Sequence, residues 1–222
     1  RCGWSWQIPL TETVTSVGIV LDKHAARDYG DTAAERLDAV IEDNPLLKVA
    51  GANRTRVSEV MTYSNYQLIS DQAFGKGWIL LGDALGFVDP MLSPGVFMAL
   101  ESAAVMDELV FAQAQENIAQ GAQAYYDHML NWHAAWGKLI AYFYDGRLLS
   151  MGAVRDHIRQ HAGPFSLSRY AEPFVSRALS QLVSGVKTRG PLPQAILHHS
   201  CHHLIKDPQI PEQNKIRRSL DE

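Results

Sequence analysis

Cysteine is nearly absent from this chain: Cys2 and Cys201 are the only two in 222 residues, and they lie near opposite ends. Two thiols so placed do not make a disulfide framework. No apolar run reaches the roughly 18 residues that a membrane-spanning helix needs, so the sequence predicts no transmembrane segment. Basic charge is not in excess. Against 24 Asp and Glu stand 20 Lys and Arg, a formal net charge of −4, and no electropositive field recruits nucleic acid. No Gly-x-Gly-x-x-Gly turn follows a strand-like run, so the phosphate loop of a dinucleotide-binding domain is missing. Position 1 is Arg rather than Met, and Arg1-Cys2-Gly3-Trp4 runs straight into a strand-like segment, so no signal peptide is expected within this sequence. These absences predict a cytoplasmic chain that is a portion of something longer.

What is present is the balance of a globular protein, 46% hydrophobic and 20% charged, enough to build a core at this length. Trp4 to Leu10 and Val14 to Leu21 are aromatic and β-branched around Thr11-Glu12-Thr13, which predicts a hairpin or two adjacent strands. Ala33, Leu37, Val40 and Ile41 predict a helix over Thr32 to Asp43, capped by Asp31 or Thr32 and ended by Asn44-Pro45. Arg56 to Ser70 alternates loosely, as one long or two short strands. Gly77 to Gly82 encloses Trp78, Ile79, Leu80 and Leu81, the continuous apolar run of a strand buried on both faces. Gly95 to Val110 and the aromatic-rich Ala119 to Phe143 are helical. Two or three shorter helices follow Arg147, broken at Gly163-Pro164 and Gly190-Pro191-Leu192-Pro193, before a frayed polar tail from Asp207. Strands first and helices after give an α/β class, α+β within this chain. Residues 1–115 would carry the strands, the central motif and its helix, and residues 116–222 a helical region.

The chemistry is concentrated in Gly82-Asp83-Ala84-Leu85-Gly86-Phe87-Val88-Asp89-Pro90-Met91-Leu92-Ser93-Pro94-Gly95-Val96. A buried strand ending on Gly-Asp presents a carboxylate at a sheet's C-terminal edge, where ligands of open α/β sheets lie. Ser-Pro-Gly then opens a helix whose first N–H groups have no partners within the helix and favour negative charge. The plainer alternative is a tight turn in which Asp83 only caps a helix.

This segment resembles the second flavin-binding motif of p-hydroxybenzoate-hydroxylase-type flavoproteins, and within them the flavin-dependent halogenases and related FAD-dependent monooxygenases. Gly3-Trp4-Ser5-Trp6-Gln7-Ile8-Pro9 matches the W-x-W-x-I-P signature of those halogenases, upstream of Gly-Asp as expected. Tyr63 to Ser70 resembles the strand that precedes the motif. The resemblance covers about residues 1 to 145. It implies FAD as cofactor, with Gly82, Asp83, Ala84, Pro90, Gly95 and Val96 as its binding residues. Asp83 would meet the ribityl chain, Gly95 and Val96 would lie against the isoalloxazine, and the helix dipole would face the N1–O2 edge. Trp4, Trp6 and Leu92 would line the substrate chamber, core packing being the alternative for each. The resemblance further implies a C4a-hydroperoxide formed from dioxygen, a small organic substrate, aromatic compounds included, and a flavin reductase partner.

Departures from the family pattern are specific. The N-terminal phosphate loop and the halogenase lysine have no counterpart, and none of Lys23, Lys48, Lys76, Lys138, Lys187, Lys206 or Lys215 stands in a matching context. Leu92 replaces the glutamate of tryptophan halogenases. The halide would be held by the N–H groups of Pro94 and Gly95, yet proline has none. Hydroxylation or another flavin oxidation therefore stands beside halogenation. A flavin reductase of the geranylgeranyl-reductase kind and a non-catalytic flavoprotein-derived binding module are further alternatives. No catalytic residue is assigned. His198 to His203 has the helical spacing of a zinc site, but no companion carboxylate, so no metal is assigned and a polar surface turn is expected. The aromatics Tyr125, Tyr126, Trp132, Trp136, Tyr142 and Phe143 are expected in the core.

Overall fold

Alternation places Trp4 and Trp6 on one side of a strand, and both strands of the expected hairpin form. β1 (Gly3–Pro9) pairs antiparallel with β2 (Thr15–Leu21), with Trp6 opposite Gly18 and Trp4 opposite Val20. Gly18 is required there: a Cβ would stand 2.0 Å from the Trp6 ring, so only glycine lets the indole lie across β2. The Trp6 indole donates to Ser16 Oγ at 3.2 Å and stacks tilted on Trp4 with centroids 5.8 Å apart. Thr11 closes the turn by accepting from the Val14 amide at 3.0 Å.

The computed structural model describes residues 3–51, 53–64, 67–112, 117–151, 173, 176–178, 180–204, 211–212 and 215–216. By packing, the chain forms two compact units, Arg1–Ser64 with Lys215–Glu222, and Asn65–Asn214. The first holds the hairpin, the short helix α1 (Lys23–Ala26), α2 (Ala33–Asp43) and α3 (Pro45–Gly51). Thr32 is the N-cap of α2 in a full capping box with Glu35, and two reciprocal bonds satisfy end-group donors. Asn44-Pro45 ends α2 as expected, but α3 follows at once. The Asn44 side chain accepts from the amides of Leu46 and Leu47 and starts that helix.

The second unit is built on helices. β3 (Phe74–Gly75) and β4 (Trp78–Ile79) make a minimal hairpin, followed by α4 (Gly95–Met106), a π-helical extension over Asp107–Ala112, α5 (Ile118–Tyr144) and α6 (Pro191–His199). α5 repeats buried residues at helical spacing: Tyr125, Met129, Trp132, Trp136, Leu139 and Phe143. The first five pack with Leu85, Met98, Val105, Leu182 and Leu197 into one core, and Phe143 is buried as well. The aromatic stripe is core, as expected, apart from Tyr126, which is half-buried against it.

Two strand expectations are corrected. Trp78 is 45% exposed and β4 is two residues long, so Gly77 to Gly82 is not a strand buried on both faces. The run is apolar because Ile79, Leu80 and Leu81 pack on one side against the helical core. Among the described residues of Arg56 to Ser70 there is no strand, only an isolated bridge from Ile69 to Gly86. The described sheets are two antiparallel pairs, which is the α+β form of the expected class. The compact units divide between residues 64 and 65, and α4 and α5 lie together in the second.

Candidate flavin site

The turn that carries Asp83 is pinned from below by a closed chain of hydrogen bonds. The Gly82 amide donates to Ser102 Oγ at 3.0 Å, Ser102 Oγ lies 2.6 Å from Tyr125 Oη, and Tyr125 Oη donates to the Leu80 carbonyl at 2.9 Å. Since the tyrosine proton goes to Leu80, the serine must donate to the tyrosine oxygen. Both side chains are fully buried, so the chain joins the end of β4 to α4 and α5 where water cannot compete. Burial also pushes the Tyr125 hydroxyl above its ordinary range.

Gly82 adopts φ 52, a left-handed conformation that glycine takes at no steric cost. The chain then makes one 3-10 turn, Gly82–Ala84, whose N-cap is Leu81 without a side-chain bond. Asp83 therefore caps nothing, and both Asp83 and Ala84 are exposed. Gly86 follows in close contact: a Cβ there would meet His133 Cε1 at 2.9 Å and Ile69 Cγ1 at 3.1 Å. The second acidic residue of the motif behaves differently. Asp89 is 2% exposed, accepts from the Met91 amide at 3.0 Å and from Tyr144 Oη at 2.9 Å. It holds the short turn Pro90–Leu92 rather than offering a carboxylate to a ligand.

Ser93 is also left-handed, at φ 53 and ψ 43, and turns the chain into α4 with Pro94 as N-cap. The Pro94 ring is fully buried. No side chain caps α4, so the first-turn amides of Gly95, Val96 and Phe97 are without that protection. Nothing lies within 4 Å of where a Gly95 Cβ would be, and Val96 is 75% exposed. The turn and the helix meet at Ala99, whose Cβ would stand 3.5 Å from a Cβ on Gly82, one helical turn from Gly95. Gly82, Asp83, Ala84, Gly95 and Val96 thus gather on one side of α4, and Pro90 and half-buried Leu92 sit in the connecting turn. Trp4 and Trp6 belong to the other compact unit.

Sequence reasoning did not single out Ser102, Tyr144 or His133. A histidine within the apolar stripe of α5 was the available signal for the last. His133 is 5% exposed and its Nε2 has no hydrogen-bond partner among the described residues. Burial holds this imidazole below the ordinary histidine range, against a smaller upward pull from Asp83. Nearby on the same helix pair, Glu101 accepts from His128 Nε2 at 2.8 Å and Trp132 Nε1 at 3.0 Å. Burial raises the Glu101 carboxyl, but those bonds and the charges of His128 and Arg189 together hold it below its usual value.

The histidine cluster near the end of the second unit is used otherwise. His198 and His202 do share a face, with rings 4.4 Å apart, although Ser200–Leu204 is a π turn. His198 Nδ1 pairs with Tyr142 Oη at 2.8 Å, and Arg147 Nη1 lies against the His202 ring. Burial pushes the Cys201 thiol up to about 12, so it supplies no thiolate near neutrality. Among the described residues no group of three or more His, Cys, Asp or Glu is placed to hold a metal ion.

The tryptophan halogenase family profile matches residues 1–147 of this chain. The chain belongs to that family. Among similar curated proteins is the 1H-pyrrole-2-carbonyl-[peptidyl-carrier protein] chlorinase of Pseudomonas fluorescens, 30% identical over 155 residues, covering 69% of this chain and 34% of that protein. The tryptophan 2-halogenase of Chondromyces crocatus is 31% identical over 157 residues, with 64% and 28% covered. The fold resembles a flavoprotein/dehydrogenase from Cytophaga hutchinsonii, with a TM-score of 0.67 and 22% identity over 90% of this chain and 48% of that one. The chain thus spans about a third of the length of these curated relatives. Membership makes it a halogenase-like flavoprotein.

The residues present fit part of an FAD. Asp83 offers an exposed carboxylate, Gly95 leaves room for a flat group to approach the backbone, and α4 offers a first turn that no side chain caps. They match a ribityl chain and the negatively polarised edge of a flavin. Among the described residues no comparable element for the ADP half is found.

Proposed function

We propose that this chain forms the flavin side of an FAD-dependent oxidoreductase that oxidises or halogenates a small electron-rich aromatic substrate. The observation that carries the reading is the convergence of exposed Asp83, open Gly95 and the α4 N-terminus, which lacks a side-chain cap, on one side of the unit. Bound flavin would supply activation of dioxygen. Asp83 would accept hydrogen bonds from ribityl hydroxyls, Gly95 and Val96 would hold the ring, and the α4 dipole would stabilise negative charge that develops on it. Leu92, half-buried in the turn before α4, would supply an apolar wall that helps exclude water from the reacting face. A partner flavin reductase would deliver the reduced cofactor. The relatives named above act on a pyrrole and on tryptophan, both electron-rich rings, which supports the substrate class.

One observation favours oxygenation over halogenation as the second reading. Pro94 gives no N–H to a halide, and its ring is buried; loss of one donor at a dry anion site costs about 1–3 kcal/mol. The test uses full-length protein. Asp83→Ala is expected to weaken FAD binding by about tenfold to a hundredfold, the value of a charge-assisted hydrogen bond, measured by quenching of flavin fluorescence. Unchanged affinity sinks the anchor reading. Product analysis with bromide and an electron-rich arene then separates halogenation from hydroxylation.

A further inference from the structure

The glycine that follows Asp83 in the motif is explained by a residue 47 positions downstream in the chain. Gly86 has no positive φ that demands glycine; it is glycine because the His133 ring rests against its Cα, where a Cβ would stand 2.9 Å from Cε1 and 3.1 Å from Nε2. The same imidazole is 5% exposed, and its Nε2 has no partner among the described residues. Orphaned polar atoms in a core are rare because each costs about 1–3 kcal/mol. A phenylalanine of the same shape would avoid that cost, so the nitrogen at this position calls for a function. Its surroundings point to one. Asp83 is the charged group that acts on the ring, yet no hydrogen bond joins the two. The antiparallel bridge from Ile69 to Gly86 presses on the turn from the other flank with an apolar side chain. At Gly86 itself the close neighbours are thus the polar ring of His133 and the apolar side chain of Ile69.

We propose that His133 is a positioning residue for the flavin, acting through the Gly82–Gly86 turn on which Asp83 stands. The inference rests on the reading of Asp83 as the ribityl anchor. With flavin bound, Nε2 gains its missing partner within that turn or its bound water, and the carboxylate is held in the orientation that the ribityl hydroxyls require. Neutral imidazole suits the task, because a charged ring would compete with the ligand for Asp83.

Three variants of the full-length protein test it: His133→Phe, His133→Gln and Asp83→Ala, each measured for FAD affinity by fluorescence quenching and for apoprotein Tm. His133→Phe is expected to weaken FAD about tenfold, the size of one lost hydrogen bond, with Tm equal to or above that of the native protein. His133→Gln, whose amide reaches the position of Nε2, is expected to bind within about threefold of native. Native FAD affinity in His133→Phe, with affinity lost in Asp83→Ala, overturns the role of His133 and leaves the anchor intact. Native affinity in Asp83→Ala defeats the anchor itself. If His133→Phe does not fold, the unaltered protein decides: the Nε2 resonance of 15N-labelled His133 must move on adding FAD, and an unmoved resonance overturns the proposal.

Discussion

At the residue scale, the three motif glycines serve different purposes. Gly82 is glycine for its left-handed backbone, Gly86 for the ring against it, and Gly95 for neither, since the space around it is open. Gly86→Ala is therefore expected to destabilise the fold by about 1–3 kcal/mol through overpacking, read from urea denaturation. Gly95→Ala should leave stability unchanged or slightly higher while weakening FAD. Equal loss of stability in both would show that Gly95 is a packing residue. His133 makes stability depend on pH. Its folded value lies below 6.5, so the contribution of the neutral ring is complete above that value and is lost as pH falls through the folded one. The native Tm should fall more steeply on acidification below about 6.5 than that of His133→Phe. Parallel profiles would show that His133 does not titrate in this way.

At the element scale, α4 and α5 position the turn, and the chain of bonds through Ser102 and Tyr125 is how they do so. Ser102→Ala leaves the half-buried Gly82 amide without its acceptor, and Tyr125→Phe leaves the half-buried Leu80 carbonyl without its donor. Each is expected to cost about 1–3 kcal/mol. The double variant should cost less than the sum, because both break one network. Strict additivity in a urea-denaturation cycle would mean that the bonds act independently. Helices α1 and α3 were not legible from sequence, whereas α2, α4 and α5 were. Their spacing, the Thr32 cap and the Gly95 start all follow from the 3.6-residue repeat and local capping chemistry. The strand over Gly77 to Gly82 was misread because a four-residue apolar run is equally served by a sheet on both sides or by helices on one.

At the scale of the whole molecule, the unit around α5 contains the deep core, while residues 56–64 carry neither helix nor strand. Hydrogen exchange should be slowest at Tyr125 to Phe143 and fast over residues 56–64. Comparable protection in both would contradict this distribution of burial.

Local chemistry in the sequence determined where the carboxylate, the glycines and the helix start lie along the chain, because turns and caps are decided by residues a few positions apart. The W-x-W strand and the Gly-Asp-Ala turn were readable for the same reason, and with them the family. Only the tertiary structure decided which groups of that motif are free to bind. It buried Asp89 against Tyr144, exposed Asp83, and brought Ser102, Tyr125 and His133 beneath the turn from 20 and more residues away. Such contacts depend on how α4 and α5 pack. No short-range pattern records them, since any buried polar side chain at the same helical spacing would look alike in the sequence.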